Sequence, residues 1–167
     1  MVNSAGCSNC LKHYAGLFEE QPEWQSRAQA LADKTRDIHE FLDALPLDPP
    51  LPRNQPASVT YHDACQSYNA LGLGAGARRI IRDVLGLELR EMADSSVCCG
   101  FGGSFSVDYP NVSSAILAKK LDNILATGAG VVVSDNPGCL MQVQGGLASR
   151  DQPIRVLHVV ELLAERV

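Results

Sequence analysis

Gly130-Val131-Val132-Val133-Ser134-Asp135-Asn136-Pro137-Gly138-Cys139 is the stretch whose reading decides the fold. Its first half, Gly130–Ser134, is short, apolar and β-branched, the pattern of a strand buried on both faces of a parallel sheet. Its second half ends on Cys139, with a short helix predicted after Gly138. Working outward, Ile154–Leu157 reads as another strand and Val159–Glu165 as a helix. Upstream, Ser58–His62 is a strand, Ala77–Leu85 a helix stopped by Gly86, and Leu87–Met92 a strand of period two. Asn111–Ala126 is a helix with Ile116, Leu117, Leu121, Ile124 and Leu125 on one side and Gly128 past its end. Strands alternating with helices predict an α/β fold: a mainly parallel four-stranded sheet with flanking helices.

Before this unit, Trp24, Ala28, Leu31, Thr35, Ile38, Leu42 and Leu45 recur at steps of three and four. They predict one long amphipathic helix with Pro22 near its start. Pro46, Pro49, Pro50, Pro52 and Pro56 then crowd a segment in which neither a helix nor a central strand survives. Residues 46–57 are therefore read as a connector.

The strand assignments give the cysteines meaning. Cys65, the Cys98-Cys99 pair and Cys139 each lie a few residues past the carboxyl end of a predicted strand. In open parallel sheets the loops at that edge converge on the ligand site, so residues distant in sequence can meet there. Thirty-two residues separate Cys65 from Cys98, and thirty-five separate Gly100 from Asn136. Asn136-Pro137-Gly138-Cys139 is a Cys-x-x-Cys whose first cysteine is an asparagine. Soft thiolates select iron–sulfur clusters, zinc or Cu(I), and four of them suffice for a 4Fe–4S cluster or a tetrahedral zinc. Gly100, Gly102 and Gly103 let backbone N–H groups approach the sulfurs, and Phe101 and Phe105 would exclude water. His62, three residues before Cys65, is a candidate to stand beside the metal; the other reading is a hydrogen-bonded histidine at a strand end. His39 and His158 read as structural. Cys7-x-x-Cys10 is a weaker signal, a dithiol without the preceding strand of the thioredoxin kind.

Bulk properties narrow the function. Hydrophobic residues make up 46% of the 167 and charged ones 20%, which is globular. A net charge of -5 with scattered Lys and Arg argues against nucleic acid as a partner. No apolar run approaches the roughly 18 residues of a membrane span, so no direct membrane insertion is expected. Residues 1–7 lack the regions of a signal peptide, and the expected location is a reducing cytoplasm, where six cysteines serve as ligands or redox groups rather than disulfides. A weak internal echo pairs Ala5-Gly6-Cys7 with Pro137-Gly138-Cys139, and Ile38–Leu42 with Val159–Leu163.

Cys65, Cys98-Cys99-Gly100 and the altered Cys-x-x-Cys ending at Cys139 resemble the cysteine-rich CCG domain family, found in heterodisulfide reductase, the glycolate oxidase iron–sulfur subunit and lactate-utilisation protein A. Cys98–Val107 looks most like the lactate-utilisation branch, and Asn136–Gln142 looks shared with the glycolate oxidase branch. The resemblance implies that residues 58–167 are a complete CCG domain and that 1–45 is the helical tail of a preceding, truncated repeat. It implies a 4Fe–4S cluster on Cys65, Cys98, Cys99 and Cys139, with His62, Gly100 and Asn136 supporting these ligands, and zinc as the alternative. It implies an electron-transfer subunit of a lactate or glycolate dehydrogenase system, working beside flavin- or iron–sulfur-containing subunits, with no catalytic residue of its own. A thiol redox catalyst like heterodisulfide reductase and a zinc-stapled interaction module are the other readings. Asn136 stands where the fifth cysteine of the full motif would be, which counts against the first of these.

Overall fold

A computed structural model of the protein describes residues 1–45 and 58–165; the connector expected at 46–57 lies outside the described residues. The chain forms α1 (Ala5–Lys12), a 3-10 turn at Tyr14–Phe18, α2 (Pro22–Lys34), α3 (Ile38–Ala44) and then β1 (Ser58–Tyr61). A π-helical turn (Gln66–Leu71) precedes α4 (Gly74–Arg79), which runs on with wide turns through Ile80–Val84 into β2 (Glu88–Leu89). After these come α5 (Phe105–Asp108), α6 (Pro110–Ala126), β3 (Val131–Ser134), α7 (Pro137–Ala148), β4 (Arg155–His158) and α8 (Val159–Ala164).

The four strands make one sheet in the order β2-β1-β3-β4, and every pairing is parallel. The α/β reading holds. Val131 to Val133 alternate between the two faces, as strand geometry demands. Val59, Tyr61, Val131 and Val133 pack with Leu42, Ala77, Ile80, Ile81, Val159 and Leu162. Val132, on the other side, packs with Leu121, Ile124, Val143 and Leu147. Helices therefore cover both faces, which is why β3 is buried along its whole length.

The chain leaves β1 towards β2 on one side and later enters β3 on the other. The carboxyl edge between β1 and β3 is thus a topological switch point, where loops diverge and leave a crevice. His62 N–H donates to the Val133 carbonyl at 2.9 Å, and Ser134 Oγ to the His62 carbonyl at 2.9 Å, so the two strand ends are fastened just below it.

The amphipathic stretch before the connector is helical in two pieces. Thr35 turns extended, and Asp37 opens a new helix by a capping box: its side chain accepts from His39 N–H while Glu40 accepts from Asp37 N–H. The expected apolar face is buried only in part: Ala28, Thr35 and Leu42 turn inward, whereas Trp24 and Leu31 are exposed. The same device opens α8, where His158 is the cap and Glu161 closes the box. Val2 forms a parallel bridge to Asp37, as Ser134 pairs with His158. β2 is shorter than predicted, because beyond Leu89 the chain turns away and sends Met92 into the core.

Asp63 and Arg78 hold the segment that follows β1. Arg78 reaches both Asp63 carboxylate oxygens at 2.8 Å and both Glu91 oxygens at 2.9 and 3.0 Å, with its guanidinium 5.4 Å from the Tyr61 ring centre. Burial opposes ionisation of Asp63, but the hydrogen bonds from Arg78 and Ser95 and the Arg78 charge outweigh it and hold the carboxyl below its usual range. Arg78→Met, which strands a buried carboxylate, is expected to cost about 3 kcal/mol in urea unfolding. The folded Asp63 pKa lies below the unfolded one, so its contribution is complete above the ordinary aspartate range and is lost as pH falls through the folded value. The acid-sensitive loss of stability measured for the parent protein should be smaller in Arg78→Met.

Candidate metal centre

Three loops reach the crevice above β1 and β3. The first is the shortest: β1 ends at Tyr61, and Cys65 caps the π-helical turn that begins at Gln66. The second comes from β3, where Asn136 opens α7 by accepting from Gly138 N–H at 3.0 Å. That places Cys139 in the first turn of α7, where the exposed amides and the helix dipole favour a thiolate.

The third loop crosses over from β2, and a single carbonyl anchors it. Ser95 O accepts from Asp63 N–H at 3.2 Å, from His62 Nδ1 at 3.1 Å and from Lys120 Nζ at 3.2 Å. Lys120 is 1% exposed and also reaches Asp94 O at 2.7 Å. Past this anchor the chain delivers Cys99 from the core side and Cys98 from the solvent side. Gly100 makes that possible. Its φ of +89° is left-handed, and a Cβ there would lie 2.5 Å from the Ser113 carbonyl. Its N–H points at Cys98 Sγ, 3.3 Å away. Gly138 answers a different need: a Cβ would sit 2.4 Å from the Phe101 ring, so the ring wall can only close against a bare backbone.

The result is a cavity of about 530 Å³ lined by Cys65, Cys98, Cys99 and Cys139, together with Cys7, Phe101, Asn136 and Gly138. All four cysteines singled out from the sequence face it. So does Asn136, whose side chain is engaged with the α7 amide. Gly100 lies beneath and donates to Cys98. Phe105 lies beyond the wall, against Tyr109 with ring centres 5.7 Å apart. The ligand atoms of His62, Cys99 and Cys139, all buried, lie within 4.8 Å of one another.

The thiols influence one another strongly. Cys99 is pushed down, chiefly by a hydrogen bond from Cys139, against its burial and with help from His62 and the Phe101 amide. Cys139 is pushed up as the donor to Cys99 and by its own burial. Burial also raises Cys65, with Cys98 and Cys99 adding to the rise. The donor set suits a thiophilic metal: three soft sulfurs or more, one buried imidazole and enclosing aromatic and glycine walls. His62 Nε2 is buried and has no hydrogen-bond partner among the described residues, as a ligand atom awaiting a metal would.

Three participants escaped the sequence reading. Cys7 arrives from α1 and shares the cavity, while Cys10 is exposed on the same helix. The echo between Ala5-Gly6-Cys7 and Pro137-Gly138-Cys139 was the signal that could have found it. Lys120 sits on the apolar stripe of α6, between Leu117 and Ile124, and a lysine at such a position signals a buried charge with a job. Ser95 acts through its backbone and had no signal.

The family model for the cysteine-rich CCG domain matches residues 59–144. Lactate utilization protein A of Exiguobacterium sp. (strain ATCC BAA-1283 / AT1b) is 37% identical over 165 residues, which is 98% of this chain and 67% of that protein. Lactate utilization protein A of Geobacillus sp. (strain WCH70) is 35% identical, over 98% of this chain and 68% of its own length. The Bacillus subtilis (strain 168) protein of the same name is 31% identical, with the same coverage.

The cavity wall gives a direct test. Gly138→Ala must displace Phe101 and is expected to cost about 1–3 kcal/mol in thermal or urea unfolding. Gly145→Ala, on the same helix with nothing within 4 Å of the added carbon, should be neutral or stabilising by up to about 1 kcal/mol.

Proposed function

This chain belongs to the CCG cysteine-rich domain family, and from that premise we propose that it is the iron–sulfur electron-transfer subunit of a system that oxidises lactate. The observation that carries the reading is the surplus of donors in one cavity. A single tetrahedral ion takes four ligands. Cys7, Cys65, Cys98, Cys99 and Cys139 line the cavity and already exceed that number, before His62, close to Cys99 and Cys139, is counted. A centre with more than one metal can use such a set, and a 4Fe–4S cluster with Cys65, Cys98, Cys99 and Cys139 among its ligands would supply one-electron storage here.

The residues around it do what a carrier needs. The Gly100 N–H pointed at Cys98 and the buried Lys120 ammonium both stabilise negative charge at the sulfurs, which favours the reduced state. Phe101 shields the core side, while Cys98 stays exposed and gives electrons a short path to a partner. Among the described residues, the cavity lining carries no cationic side chain to bind a hydroxy acid's carboxylate. Oxidation of a 2-hydroxy acid to a 2-oxo acid, with loss of two electrons and two protons, therefore falls to a flavin-bearing partner. A partner handling glycolate instead would make the same demand. The reading places the protein in the cytoplasm. Residues 1–45 form the closing part of a first repeat, a proposal supported by the matched capping boxes of α3 and α8 and the matched entries to α1 and α7. Among the described residues no helix is long and apolar enough to cross a membrane, so any contact with one would run through the partner.

Zinc is the second reading, and the close spacing of His62, Cys99 and Cys139 favours it. Donors within 4.8 Å of each other need only close to roughly 3.8 Å to share one tetrahedral ion with metal–sulfur bonds of about 2.3 Å. The two readings separate on anaerobic purification. The expected product is brown, contains iron and sulfide, and bleaches with dithionite. Cys99→Ser and Cys139→Ser should lose the colour, whereas Cys10→Ser should keep it. A colourless protein carrying one equivalent of zinc would overturn electron transfer.

A further inference from the structure

We infer that His62 binds the metal directly through Nε2, supplying from β1 the fifth donor that Asn136 does not supply from α7. The inference rests on the reading that the cavity holds iron, and it assigns to His62 a bond rather than a supporting place beside the cysteines.

Four observations carry it. First, the ring is held where a ligand must be. His62 is 1% exposed, and its own N–H and carbonyl are tied to β3 through Val133 and Ser134. Second, its tautomer is set from outside. Nδ1 lies 3.1 Å from the Ser95 carbonyl, which can only accept, so Nδ1 carries the hydrogen. That carbonyl is itself fixed by Asp63 N–H and Lys120 Nζ. Carbonyl, imidazole and metal in line is the arrangement that orients a histidine ligand. Third, the remaining lone pair on Nε2 has no hydrogen-bond partner among the described residues, although it is buried. A ring nitrogen of His62 lies with the Cys99 and Cys139 sulfurs, all within 4.8 Å of one another, and with Nδ1 engaged by Ser95 it is Nε2 that is left for a metal.

The fourth observation concerns Asn136. It stands where the motif would have another cysteine, yet its Oδ1 caps α7 through Gly138 N–H. A hard amide oxygen already turned to the helix amide suits a thiophilic centre less than an imidazole does. Imidazole from the opposite wall makes up the count. Histidine in place of a thiolate removes one negative charge from the centre, and in two-iron clusters that exchange raises the reduction potential. The expected consequence is a centre easier to reduce than an all-cysteine one.

The test uses the full chain, purified without oxygen and reduced with dithionite. Pulsed EPR should show a strong nitrogen hyperfine coupling that changes when the protein is grown with 15N-histidine. His62→Cys should keep iron, lose the coupling and lower the reduction potential. His62→Gln should lose the coupling together with part of the iron. The labelled parent protein needs no variant, so the assignment remains testable even if both variants misfold. Iron present with only the weak coupling of a hydrogen-bonded ring, such as an imidazolium beside thiolates, would overturn the inference and leave the electron-transfer reading standing. Zinc in place of iron would overturn electron transfer. In that case X-ray absorption at the zinc edge decides on His62: a nitrogen scatterer lost in His62→Cys keeps the assignment, and sulfur-only coordination in the parent ends it.

Discussion

The parallel pairing of β1 with β3 is the constraint on which the rest of the molecule depends. Two parallel neighbours point their carboxyl ends at the same place, and here the chain leaves them in opposite directions across the sheet. The crevice that opens between the departing loops is a consequence of connectivity and needs no special residues to form. What the sequence adds is the lining. Cys65 follows one strand, Cys139 follows the other, and the register between Tyr61 and Val133 sets how far apart their loops begin.

The third contributor has no such help. β2 is an edge strand of two residues, and the Cys98-Cys99 pair lies well beyond its end. Its loop is positioned by polar contacts, with Ser95 O as their meeting point. Lys120 brings α6 to that carbonyl, while Asp63 and His62 bring the end of β1. An ammonium group buried to this degree is tolerable only because it finds oxygen acceptors, and burial lowers its pKa even so, against the pull of Cys99 and Asp94. The same contacts orient the imidazole, so loop placement and ligand orientation are one problem with one solution.

These differences explain what could be read from the chain alone. Strands show through the runs Val131–Val133 and Val59–Tyr61, because burial on both faces leaves no room for polar residues. Helices α6 and α8 show through their apolar spacing and the glycine past α6. The cysteines show because thiols are uncommon and their loops follow legible strands. The division between α2 and α3 was hidden, since both halves present apolar residues at the same spacing and only the Asp37–Glu40 box betrays the break. Cys7 was hidden for a different reason: it comes from α1, ahead of the sheet, and follows none of the four strands. The orientation of His62 depends on a backbone carbonyl, and backbone atoms leave no trace in residue identity.

The electrostatics of the crevice bear on why a cation belongs there. Burial alone disfavours ionised thiols, and each thiolate disfavours the next. Cys99 is drawn toward ionisation; Cys139 is driven away from it chiefly as the donor to Cys99, and Cys65 chiefly by burial, with Cys98 and Cys99 adding to the rise. Protein groups offer partial relief: Lys120, the amides that reach Cys98, Cys99 and Cys65, His62 beside Cys99 and the amino end of α7. Four thiolates would need more positive charge than these groups provide, in a chain whose net charge is already -5. A metal removes the conflict, since it takes the place of the protons and binds sulfurs that otherwise compete for them. Without a cation the thiols settle the conflict by sharing protons, as Cys139 does with Cys99, and a metal would replace those protons with a charge that several sulfurs can bind at once.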